Sequence, residues 1–484
     1  MLNYKPILRF FGVLLVMLGA FMFTALPVSW YFGSSDFGAL LWSALICIGI
    51  GLPVWWWLRK DAKGNIGKRE GYLIVAGGWL LMSVFGMLPY LLSGEIPEWY
   101  NAFFETASGI TTTGASVLTD IEAVAPGILY WRSLTQWIGG MGIIVLTVAL
   151  MPLLGIGGIE LFVAESPGPT SDKVHPRIRE TAKRLWLIYV GMTLVVGILL
   201  WIGGMSVYDA VNHALTTMAT GGFSTKNTSM AHFDSPFIQY VVILFMLAAG
   251  VNFSLHYHLL KRHFSTVFKN EEFRTYLLII AAATLVIAVS LVWHFDYGVE
   301  KAFRDSLFHV VSVITTTGFI TADYSQWGPG VVMIIFLLLF VGGCAGSTGG
   351  GIKIIRHLVF IKNSWLEFKR ILHPRAIVPL KVNGETVAPR IMTHIIIFLL
   401  LYLLLTLVGS LALSVMGIDF ATAVGATATS LGNVGPAIGD VGPVDNFAWM
   451  PPAAKVWLGL LMIMGRLEIF TILVLFTPYF WKSN

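Results

Sequence analysis

Four times along this 484-residue chain, a short glycine-ended motif closes a segment about one short helix long inside an apolar region. The motifs are Thr111-Thr112-Thr113-Gly114, Ala219-Thr220-Gly221-Gly222, Thr315-Thr316-Thr317-Gly318 and Gly432-Asn433-Val434-Gly435. Their last glycines lie 108, 96 and 117 residues apart, the mark of one unit repeated four times. Irregular backbone at membrane depth persists only where it is buried in protein or lines water. Four such loops around one axis are what an ion-selectivity filter requires.

The membrane setting follows from composition. Hydrophobic residues make up 56% of the chain, charged residues only 12%, and mean hydropathy is +0.77. That is about half the charge of a soluble globular domain. Apolar stretches of bilayer length are predicted at 10–31, 38–58, 71–94, 128–152, 185–205, 236–260, 275–295, 330–346, 391–416 and 455–480. The first is read as a retained helix, because no small-residue cleavage site follows it. Cys47 and Cys344 both fall in apolar stretches, so buried thiols are expected rather than a disulfide or a zinc site.

Charge assigns the orientation. With the N-terminus inside, the inner segments carry 25 Lys and Arg. The outer side carries 5, Arg132, Lys226, Lys301, Arg304 and Lys455, against 15 Asp and Glu. Both termini are therefore expected to be cytoplasmic. The basic segment from Lys353 to Arg390 is mostly topogenic, so lipid is the expected surrounding and no nucleic-acid partner is implied. His256, His258 and His263 cluster at one span end without a convergent cysteine or carboxylate, and no transition-metal site is expected there.

Each motif follows a segment too short to cross the bilayer: Tyr100–Thr111, Tyr208–Ala219, Val299–Thr315 and Asp419–Leu431. These read as half-helices entering from outside and stopping at the glycine. Their carboxyl ends carry partial negative charge toward the centre, which favours a cation. Carbonyls of the extended loop can then replace the water shell of an alkali ion. The expected fold is an all-α polytopic membrane protein with four helix–pore-loop–helix repeats around a pseudo-fourfold pore, plus two extra N-terminal helices. The expected divisions are 1–65 for those two helices, then repeats over 66–180, 181–270, 271–385 and 386–484. Candidate ion-binding residues are Thr112, Thr113, Gly114, Thr220, Gly221, Gly222, Thr316, Thr317, Gly318, Asn433, Val434 and Gly435. The fourth motif is the outlier, because it lacks threonine. Nine residues before the last glycines stand Glu105, His213, His309 and Ala426, read as props behind the loops.

Two further features point to a gate. Residues 342–351 contain six glycines, too many for a stable helix at roughly 1 kcal/mol each. A loop crossing the pore beneath the filter is the functional reading; a hinge or close helix contact is the plainer one. Arg466 lies at a depth where arginine needs solvation or a partner. It is read either as a structural ion pair or carbonyl contact, or as a positive charge that holds the loop. The candidate gate is Gly346, Ser347, Thr348, Gly349, Gly350, Gly351, Lys353 and Arg466.

On these motifs the chain resembles the Trk/Ktr/HKT potassium-transporter superfamily, most closely its bacterial TrkH-type branch. The supporting stretches are Thr111–Ser116, Trp131–Gly142, Gly221–Thr225, Thr315–Phe319 and Gly342–Lys353. The resemblance implies a potassium-selective pore in a bacterial inner membrane, a homodimer, and a cytosolic ring of nucleotide-binding, TrkA-like subunits that controls opening. It also implies a gate at the glycine-rich loop, and no covalent cofactor, potassium being the bound substrate ion. Glycine at Gly114 points to potassium over sodium. A proton- or sodium-coupled symporter on the same scaffold is the alternative. An enzyme is disfavoured, since no His-Glu-x-x-His, no Gly-x-Ser-x-Gly and no paired intramembrane aspartates occur.

Overall fold

The computed structural model describes residues 2–58, 67–140, 142, 178–376 and 378–482. The inner end of the span predicted over 128–152, and the basic residues within 59–66 and 153–177, lie outside the described residues. Six described helices are long and apolar enough to cross a membrane: Tyr4–Phe32 taken with its internal break, Phe37–Trp57, Arg69–Ser93, Ala182–Ile202, Glu271–Phe295 and Pro389–Val415. Backbone groups with no water to bond leave little but helix available to such segments. The described strand pairing is a two-residue ladder, Lys381 opposite Thr386 and Val382 opposite Glu385.

The four half-helices form close to their expected limits, at Trp99–Ile110, Val207–Met218, Val299–Ile314 and Phe420–Gly432. Only 22–44% of the apolar windows of the long spans is buried within the protein, whereas every residue from Ala102 to Ile110 is buried. The spans thus form the lipid-facing wall and the half-helices the centre.

Each half-helix is followed by a second helix that begins on proline: Pro126–Gly140, Pro236–Ala249, Pro329–Leu338 and Pro452–Arg466. At the first helical position proline loses nothing, since that N–H has no intrahelical partner. Three of the corresponding predicted spans are not continuous. The span over 236–260 bends by 104° between Ala249 and Phe253, and that over 455–480 by 107° after Arg466. The span over 330–346 is helical only to Leu338. Gly250 ends the first of these, and the Asn252 side chain caps the next segment by accepting the Ser254 N–H at 2.8 Å. In the last, Glu468 and Ile469 adopt φ of 57° and 58°, and the Phe470 N–H turns back onto the Glu468 carbonyl at 2.6 Å.

The two N-terminal helices pack through glycine, the Cβ position of Gly51 falling 2.6 Å from the Gly12 carbonyl oxygen. Between them Asp36 is buried and accepts the Ile128 N–H at 2.8 Å, with Ser29 and Ser34 hydroxyls on its other oxygen. Its carboxylate thereby caps the second helix of the first repeat from a different element.

Candidate ion pathway

All four half-helices end the same way. Thr112, Thr220, Thr316 and Asn433 take left-handed φ of 55°, 53°, 58° and 55°. The next residue's N–H closes onto the helix: Thr113 to the Ser108 carbonyl at 2.8 Å, Gly221 to Thr216 at 2.9 Å, Thr317 to Ser312 at 2.7 Å, Val434 to Thr429 at 3.0 Å. This is a Schellman end, whose left-handed position usually belongs to glycine. Threonine there is strained by roughly 1–2 kcal/mol, whereas asparagine tolerates it. The fourth motif, an outlier by composition, is therefore equivalent in backbone.

The glycines that end the motifs are also left-handed: Gly114 at φ 84°, Gly222 at 76°, Gly318 at 81° and Gly435 at 102°. Space closes in a ring. A Cβ on Gly114 would lie 2.3 Å from the Gly221 carbonyl oxygen, on Gly222 1.9 Å from that of Thr317, on Gly318 2.2 Å from that of Val434, and on Gly435 2.7 Å from that of Thr113. Each loop thus presents a carbonyl against the glycine of the loop before it, and the fourth returns to the first. Only glycine meets both the φ and the contact.

Beneath this ring lies the glycine-rich segment. Its neck is closed by the Gly342 N–H on the Ile352 carbonyl at 2.8 Å and the Ile354 N–H on the Gly343 carbonyl at 3.1 Å. Its body touches three of the four loops. The Gly350 N–H donates to Thr316 Oγ1 at 2.6 Å, Thr348 Oγ1 lies 3.4 Å from Thr220 Oγ1, and the Cβ position of Gly350 is 2.7 Å from Asn433 Cβ. Thr348 is held further by its hydroxyl on the Met218 and Ala249 carbonyls at 3.1 and 3.2 Å. Gly346 passes its carbonyl to the Phe253 N–H at 3.0 Å, Ser347 buries its hydroxyl, and Lys353 Nζ donates to the Gly349 carbonyl. Gly351 turns at φ 65°. Arg466 reaches in from the fourth repeat, donating to the Thr348 carbonyl at 2.7 Å and to the Gly139 and Gly140 carbonyls at 2.7 and 3.1 Å. Of the two readings of Arg466, the described contacts are carbonyl bonds, one to the loop and two to the end of the helix Pro126–Gly140; Glu468 binds Arg356.

A family model described as TrkH, cation transport protein, matches residues 42–483. The chain belongs to the TrkH family of cation transport proteins. It is 40% identical over 490 residues to the Trk system potassium uptake protein TrkH of Escherichia coli strain K12, covering all of both chains. It is 38% identical over 488 residues to the Trk system potassium uptake protein TrkH of Halomonas elongata, again over all of both. Among solved structures it resembles the crystal structure of the potassium transporter TrkH from Vibrio parahaemolyticus, with TM-score 0.89 and 36% identity over 99% of this chain and 100% of that one. A family of transporters, multi-pass and helical, removes the enzyme reading.

Within this TrkH-family scaffold, two side chains tie the ring together. Gln136 donates to the Gly221 carbonyl at 2.6 Å and accepts the Phe223 N–H at 3.1 Å. Asn433 Nδ2 spans the Met462 carbonyl at 2.8 Å and Thr113 Oγ1 at 3.0 Å, joining the fourth loop to the first. The props behind the loops act from their expected places. Glu105, fully buried, accepts from Arg132 Nε at 2.6 Å and from the Val117 N–H at 2.9 Å. Arg132 in turn donates to the Ser224 carbonyl at 3.1 Å and lies over the Phe223 ring at 3.4 Å. His213 bridges the Asp209 carbonyl and Ser224 Oγ, at 2.8 and 2.9 Å; His309 bridges the Asp305 and Ala322 carbonyls, at 2.8 and 3.0 Å. In each case a half-helix is tied to the segment that leaves its own loop. On the outer side, a hydrogen bond from Asn227 holds the exposed Asp120 carboxyl below the usual carboxylate range.

Proposed function

We propose that this chain carries potassium ions through its centre, with Gly114, Gly222, Gly318 and Gly435 and the residues just before them forming a backbone-carbonyl filter. The closed ring of four left-handed glycines, each against its neighbour's carbonyl, is the observation that carries the reading. It aims carbonyl oxygens and four helix carboxyl ends at one place, the chemistry an alkali cation needs on losing water. The relatives, named as potassium uptake proteins, agree with that chemistry.

Ions would enter past the acidic outer side, shed water at the ring, and meet a gate at the glycine-rich loop and Arg466. A charge lodged under the filter opposes a cation directly, and the loop fills the path sterically. The driving force is the membrane potential, about 2.3 kcal/mol per charge per 100 mV. The setting proposed is a bacterial inner membrane with both termini cytoplasmic, in a homodimer whose opening is set by a cytosolic nucleotide-binding ring. His213 and His309 make their contacts within their own repeats, behind the loops, which supports a bracing role and a passive pore over proton coupling through them.

Ion flux in proteoliposomes with K⁺, Rb⁺, Na⁺ and Li⁺ tests the reading. Wild type is expected to favour K⁺ and Rb⁺, and Gly114→Ser to lose that preference because its Cβ displaces the Gly221 carbonyl. Equal Na⁺ and K⁺ flux in the wild type would overturn the potassium assignment; a reversal potential away from the potassium value would favour coupled transport.

A further inference from the structure

Glu272 stands in the first turn of the long helix Glu271–Phe295, distant in sequence from the glycine-rich loop, and is only 6% exposed. One carboxylate oxygen accepts two backbone N–H groups, from Ala345 at 2.7 Å and from Ile355 at 3.2 Å. Ala345 lies within the loop, and Ile355 in the first turn of the helix Ile354–Leu372 that follows it. A single oxygen therefore ties the entering and leaving sides of the loop together, just below its closed neck. Lys353, at the start of that helix, offers no acceptor to its first turn; the carboxylate is supplied from another helix. Hydrogen bonds to an ionised acceptor are the stronger kind.

The residue beside it faces the opposite way. The Glu271 N–H donates to Asn383 Oδ1 at 2.8 Å, and its carboxylate pairs with Lys362, whose ammonium also reaches the Lys381 carbonyl at 3.1 Å. Asn383 sits at the turn of the two-stranded ladder with φ 51°. An apolar cluster of Ile355, Val359, Leu380, Val382 and Ile395 seats the ladder on the helix after the loop. One helix end is thus gripped from outside by the hairpin and holds the loop inside.

We propose that Glu272 is a positioning residue for the gate, holding the glycine-rich loop under the filter and passing to it any displacement of the 381–386 hairpin. The inference rests on the gate reading above. Glu271 and Glu272 are consecutive in one helical turn, so a pull on the hairpin moves both, and the loop loses the acceptor common to its two sides.

The test uses the full-length chain in proteoliposomes, reading Rb⁺ and Na⁺ uptake for wild type, Glu272→Ala, Glu272→Gln and Asn383→Gly. Glu272→Ala is expected to raise Rb⁺ uptake about tenfold with the Rb⁺-to-Na⁺ ratio unchanged. Glu272→Gln keeps an oxygen that can accept both N–H groups and is expected to stay within about twofold of wild type. Asn383→Gly preserves the left-handed turn while removing the grip on Glu271, and is expected to fall between. Wild-type uptake in Glu272→Ala, equal leak in Glu272→Gln and Glu272→Ala, or a lost Rb⁺ preference in Glu272→Ala would each overturn the proposal. Should Glu272→Ala fail to assemble, unchanged uptake in Asn383→Gly overturns it alone. Failure of the potassium reading is separate: it shows in the wild type as equal Rb⁺ and Na⁺ uptake, to which the mutant-to-wild-type ratio is indifferent.

Discussion

Thr112, Thr220 and Thr316 occupy a backbone conformation that a β-branched residue accepts only when its surroundings impose it. Their neighbours do impose it, through two helix-closing bonds at each end and a buried setting that leaves no room to relax. The sequence places these threonines in the motifs, but composition does not show that they carry the left-handed turn. Asn433 makes the point from the other side: its identity departs from the other three motifs, while its φ does not. Arg466, part-buried beneath the ring, shows what a charge at this depth can hold together. Its three described bonds are all to carbonyls, at Thr348, Gly139 and Gly140, so it joins the loop to the first repeat. Hydrogen bonds to a charged donor contribute about 1.5–3 kcal/mol each. Arg466→Ala is therefore expected to raise Rb⁺ leak roughly tenfold in proteoliposomes; unchanged leak and unchanged regulation in that variant would remove Arg466 from the gate.

Among the elements, the half-helices were legible because their length is anomalous for a membrane and their ends are glycine. The second helices were less so. Apolar composition through 236–260 and 455–480 hid breaks of 104° and 107°, since hydropathy records which solvent a segment prefers and not its direction. Gly250 and Asn252 offered a readable stop and restart. Glu468 and Ile469 offered none, because the turn there is set by packing and by the Glu468–Arg356 pair. A proline at the start of each second helix was available in the sequence and was a better marker of the repeat than the residues nine before the glycine. Asp36 adds an element-level role for the two helices outside the repeat, as the cap of Pro126–Gly140, the helix that carries Arg132 and Gln136. Asp36→Ala is expected to cost about 1–2 kcal/mol of stability. Thermal unfolding in detergent reads this, and a midpoint equal to that of wild type would show that the cap contributes nothing.

For the whole molecule, the ring exists only when all four repeats are seated, so an ion held there, as proposed, would link binding to folding. An ion that binds the native state alone stabilises it by about 2.7 kcal/mol at one hundred times its dissociation constant. Unfolding in detergent is thus expected at higher temperature in K⁺ or Rb⁺ than in Na⁺ or choline at equal ionic strength. Identical midpoints in all four would count against a potassium site at the ring. The buried Glu105–Arg132 pair and the Asn433 link from the fourth loop to the first join neighbouring parts of that ring.

The linear order of residues determined the membrane class, the number of repeats, the four glycines and the glycine-rich interruption, because each is a local matter of solvent preference or backbone freedom. It did not determine which carbonyl faces which glycine, where Arg466 and Glu468 find their partners, or that Glu272 and Asp36 cap helices far from them in the chain. Those contacts join residues from about 70 to more than 320 positions apart. Only the packed arrangement brings them within hydrogen-bond reach, and at that range direction and distance decide what composition cannot.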